Sequence, residues 1–203
     1  MNVRMASWLV GAAVLCGAVG TAYGEQAGAA AGPAKVGAAP VVVMKTSMGE
    51  IRIRLFPDKA PVTVENFMKY VGDKHYDGTI FHRVISGFMI QGGGFTADMT
   101  KKPTRAAIKL EAQTGLKNTR GTIAMARKND PNSATSQFFI NVVDNGMLDA
   151  KTASDGYAVF GEVISGMDVV DKIKAAPTGQ KAGMGDVPTT PVVIESVRVA
   201  AAS

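Results

Sequence analysis

At 203 residues the chain is one domain with additions, and its formal charge of +5 comes from basic residues dispersed along the sequence. Aromatics make up 6% of it, so the basic stripe and stacking platforms of a nucleic-acid binder are both missing, and the charge serves solubility. Two histidines, His75 and His82, and one cysteine, Cys16, do not supply the four closely spaced ligands of a structural zinc site.

The chain opens with a processing pattern. Arg4 gives a short positive region, and residues 6–19 form an uncharged apolar run. Ala22-Tyr23-Gly24 then offers small residues at the two positions a signal peptidase reads. Residues 1–24 are therefore expected to be a signal peptide, with Ala18-Val19-Gly20 as a second candidate site. The run is shorter than the ~20 residues of a comfortable span, and no later segment qualifies as transmembrane. An uncleaved anchor is the alternative. Leu15 stands where a lipoprotein site wants a small residue before Cys16.

Cleavage after Gly24 leaves a chain of charge +4 with no cysteine, compatible with an oxidising compartment. A periplasmic protein with no stable membrane insertion is the expectation. Residues 25–40 are mostly Ala and Gly with two prolines, a composition that cannot bury a core and reads as a flexible linker.

Residues 41–44 and 50–55 read as two strands around a Ser47-Met48-Gly49 turn. Pro61 suits the first turn of a helix. Val64, Phe67, Met68 and Val71 follow with helical spacing, and Gly72 stops the element. His75, ahead of a Tyr-Asp-Gly turn, is expected to be exposed.

The run Phe81-His82-Arg83-Val84-Ile85-Ser86-Gly87-Phe88-Met89-Ile90-Gln91-Gly92-Gly93 carries more information than any other segment. It is apolar and strand-like, yet it holds one arginine and one glutamine. Alternation places Phe81, Arg83 and Ile85 on one face and turns His82 away from Arg83. Ser86-Gly87 interrupts the run as a bulge or bend does. Beyond it Met89 and Gln91 share one face, and Phe88 and Ile90 the other. Parity leaves open whether Phe88 and Met89 line the same groove as Arg83. No acidic residue lies near Arg83 in sequence, so its charge calls for a partner from outside the chain. The competing reading is an Arg that snorkels to water along its stem.

Residues 92–118 show no periodicity and read as a long loop of the functional or mobile kind. Gly92-Gly93-Gly94 lacks the Gly-Lys-Ser/Thr ending of a phosphate cradle. Residues 121–126 read as a strand. In Ser136-Gln137-Phe138-Phe139-Ile140, Phe138 and Ile140 form one face, and Gln137 and Phe139 the other. A second helix is expected over residues 166–175, burying Val169, Val170 and Ile173 before Pro177, and residues 192–199 read as a closing strand.

The FHRV…FMIQGG and SQFFI blocks stand in order with residues 121–126, the Leu148-Asp149 step and Tyr157-Ala158-Val159-Phe160-Gly161. From about residue 42 to 199 the chain resembles a cyclophilin-type peptidyl-prolyl isomerase. The resemblance implies a mostly β fold over residues 41–203: a closed eight-stranded antiparallel barrel capped by two α-helices, with the active groove on its outside. It implies a monomeric isomerase acting on proline-containing unfolded or flexible polypeptides.

Such an enzyme needs no cofactor and no metal. Rotation about an X-Pro bond breaks no covalent bond, so the catalyst has only to bind the twisted amide better than either planar form. The resemblance assigns catalysis to Arg83, as donor to the twisted amide nitrogen, and to Gln91, which orients Arg83 or a substrate carbonyl. It gives the proline pocket to Phe88, Met89, Phe139 and Leu148. Gln137 and the backbone around Ala126 and Arg127 hold the flanking peptide, and Tyr157 stands where many members have a histidine.

There are departures. Met147 replaces the tryptophan of eukaryotic-type members, and residues 125–136 are one residue longer than the common form, leaving Arg127 as the nearest match for an asparagine-type contact. Both resemble the bacterial exported branch. Methionine has no N–H, so weak cyclosporin A binding is expected. Two other readings remain: a binding module of this fold without turnover, and a β-barrel carrier for a small apolar ligand.

Overall fold

Residues 39–201 are described in the computed structural model. The expected signal peptide and residues 25–38 of the expected linker lie outside the described residues. Strand β1 (Val41–Thr46) and strand β2 (Gly49–Leu55) form the first hairpin. Val42 and Met44 point inward from β1, and Ile51, Ile53 and Leu55 from β2, while Arg52 and Arg54 face solvent. That alternation fixes the register, with Val42 opposite Ile53 and Met44 opposite Ile51.

Helix α1 (Pro61–Gly72) is followed by β3 (Thr79–Ile85), β4 (Met89–Thr96), β5 (Thr122–Met125), β6 (Phe138–Asn141) and β7 (Val159–Ser165). Then come α2 (Met167–Lys174), β8 (Thr178–Lys181), β9 (Met184–Pro188) and β10 (Val193–Val199). Eight strands close in the order β1-β10-β3-β4-β6-β5-β7-β2, every pair antiparallel. Closure removes the edges that an open sheet would expose. The expected barrel and both expected helices are present. The β8–β9 hairpin, a separate two-stranded sheet, was not expected.

The barrel interior is solid. Phe67, Tyr76, Phe81, Phe138 and Phe160 are fully buried, with neighbouring ring centroids 5.1–6.2 Å apart. Gly93 makes this possible. Its φ is +82°, and a Cβ there would lie 2.8 Å from the Tyr76 ring and 2.9 Å from Phe138. Helix α1 adds Val64, Phe67, Tyr70 and Val71 to this core, and α2 adds Val169, Val170 and Ile173.

Three expectations are corrected. Residues 92–118 are not all loop, because β4 continues to Thr96. Three glycines there erase the alternation that would have marked it. Beyond β4 the segment is tied down: the Arg105 amide donates to the Tyr70 hydroxyl at 2.8 Å, and Lys102 Nζ to the His75 carbonyl at 2.5 Å. His75 is buried, its ring tilted against Tyr70 with centroids 4.6 Å apart, because this segment folds over it. Burial lowers its pKa.

The third correction concerns β3. Phe81 pairs with Gly92 and Arg83 with Gln91, so His82 is an extra residue in the ladder. This bulge shifts the parity. Phe81 and Val84 belong to the interior, Arg83 is turned outward, and Ile85 packs with an external cluster. Phe81 and Arg83 therefore do not share a face.

Candidate active site

The outer surface of β3, β4, β5, β6 and the start of β7 carries a second, smaller apolar cluster. Met89, Ala124, Phe139 and Val159 are buried in it, with Phe88, Leu148 and Tyr157 partly exposed around them. Between this cluster and the polar side chains above it lies a cavity of about 350 Å³. Arg83, Gln91, Phe88, Met89, Ala126, Arg127, Gln137, Phe139, Leu148 and Tyr157 all line it. The structure thus brings every candidate residue together, and Phe88 and Met89 do face the groove that holds Arg83.

Two segments hold the apolar floor. The Asn145 side chain donates to the Phe88 carbonyl at 2.8 Å and to Asn141 Oδ1 at 2.7 Å. Asn141 in turn donates to Thr122 Oγ1 at 2.9 Å and to Asn118 Oδ1 at 3.2 Å, and Asn118 reaches the Leu148 carbonyl at 3.1 Å. This buried amide chain fixes the loops bearing Phe88 and Leu148 against each other. Phe139 meets Tyr157 edge-on at 5.5 Å, and the Arg127 guanidinium lies 4.9 Å above the Tyr157 ring. Arg127 Nε also donates to the Gly156 carbonyl at 2.9 Å. Its charge is thereby held at the edge of the cavity.

On the polar side, Gln91 stands opposite Arg83 in the ladder, but its amide donates to Gln137 Oε1 at 2.9 Å. Among the described residues no side-chain hydrogen bond joins Gln91 to Arg83. Gly94 allows this arrangement, since a Cβ there would come within 2.6 Å of the Gln137 side chain. The Arg83 side chain is 42% exposed, and its nearest carboxylate is Asp186, with Nε to Oδ2 at 3.9 Å. A second cavity of about 100 Å³ shares Gln91, Ala126, Arg127 and Gln137 with the first and is rimmed by Lys101 and Lys128.

His82, Phe95 and Met184 also line the main cavity and were missed from sequence. His82 was expected to point away from Arg83, and the bulge reverses that. Its ring packs on Phe95 with centroids 4.7 Å apart, and burial lowers its pKa to about 4, so it is neutral at pH 7. Met184 comes from β9, about a hundred residues along the chain, and no local pattern announces it.

One half-exposed cation thus stands over an apolar floor, flanked by amides. No group of three or more His, Cys, Asp or Glu able to hold a metal occurs among the described residues, and no helix among them is long and apolar enough to cross a membrane. The aromatic packing of the barrel interior counts against a carrier that would hold its ligand there.

Comparison with known proteins agrees with this geometry. The family model described as cyclophilin type peptidyl-prolyl cis-trans isomerase matches residues 41–199. A peptidyl-prolyl cis-trans isomerase of Acinetobacter baylyi is 57% identical over 159 residues, covering 78% of this chain and 85% of its own. Peptidyl-prolyl cis-trans isomerase B of Escherichia coli is 57% identical over 162 residues, covering 78% and 99%. Among solved structures, a cyclophilin-type isomerase of Cryptosporidium parvum, crystallised in the presence of the dipeptide Ala-Pro, superposes with a TM-score of 0.66 at 26% identity. It covers 80% of this chain and 99% of its own.

Proposed function

The chain belongs to the cyclophilin-type peptidyl-prolyl cis-trans isomerase family, and on that premise we propose that it speeds X-Pro isomerisation in exported proteins, with Arg83 stabilising the twisted amide. The observation that carries this reading is the Arg83 guanidinium, half-exposed above a floor of Phe88, Met89, Phe139 and Leu148. The proline ring enters that floor and is held by apolar contact. The neighbouring structure solved with Ala-Pro supports proline-containing peptides as substrates.

The planar amide resists twisting by ~18–20 kcal/mol because rotation ends its resonance. At the twisted geometry the nitrogen becomes pyramidal and gains a lone pair. A fixed N–H aimed at it is worth most at that point and little in either planar form. Arg83 can do this without acting as a base, since its guanidinium keeps its protons. Gln91 has two amide hydrogens and gives one to Gln137, which leaves the other for a peptide carbonyl. Gln137, Arg127 and the Ala126 backbone hold the chain on either side of the proline.

The export role rests on Arg4, the uncharged run and Ala22-Tyr23-Gly24. Protein from the envelope fraction should have an intact mass lacking residues 1–24; a mass that retains them means an anchor. Weak cyclosporin A binding belongs to the same reading, because Met147, 76% exposed beside the pocket residue Leu148, has no N–H to offer.

Arg83→Ala tests the mechanism. Turnover should fall by roughly 10²–10³, the usual cost of one preorganised donor. Peptide affinity should change far less, and the melting temperature should barely move because the side chain is half in water. Arg83→Lys keeps the charge but loses the planar fork, so it should also be impaired. Near-normal turnover in Arg83→Ala means that the transition-state role assigned to the arginine is wrong; an unfolded variant means that the arginine is structural.

A further inference from the structure

We propose that Asp186, on the β8–β9 hairpin outside the barrel, is a positioning residue that holds the Arg83 guanidinium in its working orientation. The inference rests on the isomerase reading above and adds to it a residue that lies outside the motifs.

The hairpin is anchored beside the strand that carries Arg83. Val187 is buried with Ile80 of β3 and Met99, and Met184 packs on the same small cluster with Phe95 and Val193. At its far end Lys181 Nζ donates to the Ala97 carbonyl at 2.9 Å, and at its base the Thr189 amide donates to the Pro177 carbonyl at 2.9 Å. A carboxylate on this hairpin therefore has a fixed place relative to Arg83.

The local backbone aims that carboxylate. Gly179 pairs with Val187 and Lys181 with Met184, so β9 carries one residue more than β8 between the two pairs. Asp186 lies in this bulge with φ at +59°, a left-handed conformation that Asp tolerates better than most residues but still at some cost. Bulges commonly re-aim a side chain next to a site. Here the result is Asp186 Oδ2 at 3.9 Å from Arg83 Nε.

The contact is made at Nε, which leaves the two terminal nitrogens for the substrate. At 3.9 Å it is an electrostatic guide and too long for a hydrogen bond. Arg83 needs one. Among the described residues it makes no side-chain hydrogen bond, and Gln91 across the ladder is paired with Gln137. A free arginine samples many rotamers, and each excursion removes the donor from the proline nitrogen. A nearby carboxylate narrows that spread without covering the working end.

Both side chains are about half exposed, 42% for Arg83 and 50% for Asp186, so the pair contributes little to folding and its loss should be readable in the kinetics. Two variants test this. Asp186→Asn removes the charge at constant shape, and Asp186→Gly removes the side chain while accepting the left-handed backbone. Both should lower turnover on a Pro peptide by about two- to fivefold, the effect of an exposed ion pair, with peptide affinity unchanged and the melting temperature not lowered. Added KCl should bring the parent's turnover down towards the variants' level and leave theirs flat.

In an Arg83→Ala background Asp186→Asn should have no further effect. Turnover equal to the parent's in both variants overturns the proposal, and so does an equal loss in the Arg83→Ala background, which would place the effect elsewhere. A parent that does not isomerise Pro peptides at all overturns the isomerase reading itself and this inference with it.

Discussion

Phe138 and Phe139 are neighbours in sequence and belong to different compartments. Phe138 points into the barrel, where Phe67, Tyr76 and Phe81 surround it. Phe139 points out, into the cluster beneath Arg83, and meets Tyr157 edge-on. The same division holds along β4, with Ile90 inside and Met89 outside. A pleated strand turns successive side chains to opposite faces, so one thickness of backbone separates the packing that stabilises the fold from the surface that does the chemistry. The inner face is closed and packed. The outer face is a shallow apolar patch crowned with amides and guanidinium groups. Stability and activity should therefore respond to different substitutions, even at positions only a few residues apart.

The largest effect should come from breaking the inner face. Phe138→Ala removes a fully buried ring from an aromatic cluster that cannot collapse around the gap, at a cost of about 3–5 kcal/mol. Chemical denaturation should show that loss. The fraction that remains folded should still isomerise, because no residue of the groove has been altered. Phe88→Ala is the counterpart on the outer face. Phe88 is partly exposed, so its removal should cost stability only about 1 kcal/mol. It should raise KM for a Pro peptide about tenfold by taking away one wall of the proline pocket. Should Phe88→Ala destabilise the domain as much as Phe138→Ala does, the two faces are not separable.

The division also explains what the sequence could convey. The strands β1 and β2 and both helices follow from apolar periodicity, since each buries one face against the core and leaves the other in water. The groove is different. Its residues come from β3, β4, β6, β9 and the loops around them, and what identified most of them was resemblance to a family motif. Arg83 stands out because an unpaired charge in an apolar strand is costly, but simple alternation puts it on the wrong face. The extra residue at His82 shifts the parity, and a bulge leaves no mark that composition can show. The asparagines at 118, 141 and 145 look like turn residues, yet they form the buried link between Phe88 and Leu148. The β8–β9 hairpin has only Val187 and Pro188 buried, so it lacks the alternation that would reveal a strand. Asp186 thus reaches Arg83 by a route that only the folded chain displays.

Glu111 sharpens the comparison with the smallest expected effect, because it sits outside the barrel and acts on the inside. Helix α1 has Ala60 at its N-cap and no acidic residue in its first turn, so its own sequence leaves the leading amides unserved. Glu111, about fifty residues further on, accepts from the Val62 amide at 3.1 Å, the Thr63 amide at 2.8 Å and the Thr63 hydroxyl at 2.7 Å. A carboxylate at that end also opposes the positive pole of the helix dipole. The helix so capped carries Val64, Phe67 and Val71 into the core. Glu111→Gln keeps the shape but loses the charge and turns one acceptor into a donor facing an N–H, so it should cost about 1 kcal/mol. The melting temperature should drop by a few degrees, about the shift that 1 kcal/mol gives a domain of this size. Turnover per folded molecule should equal the parent's, since Glu111, Val62 and Thr63 do not line the cavity. A fall in turnover at unchanged stability would mean that the segment after β4 reports to the groove, and that the outer surface cannot be divided as the two faces of the strands suggest.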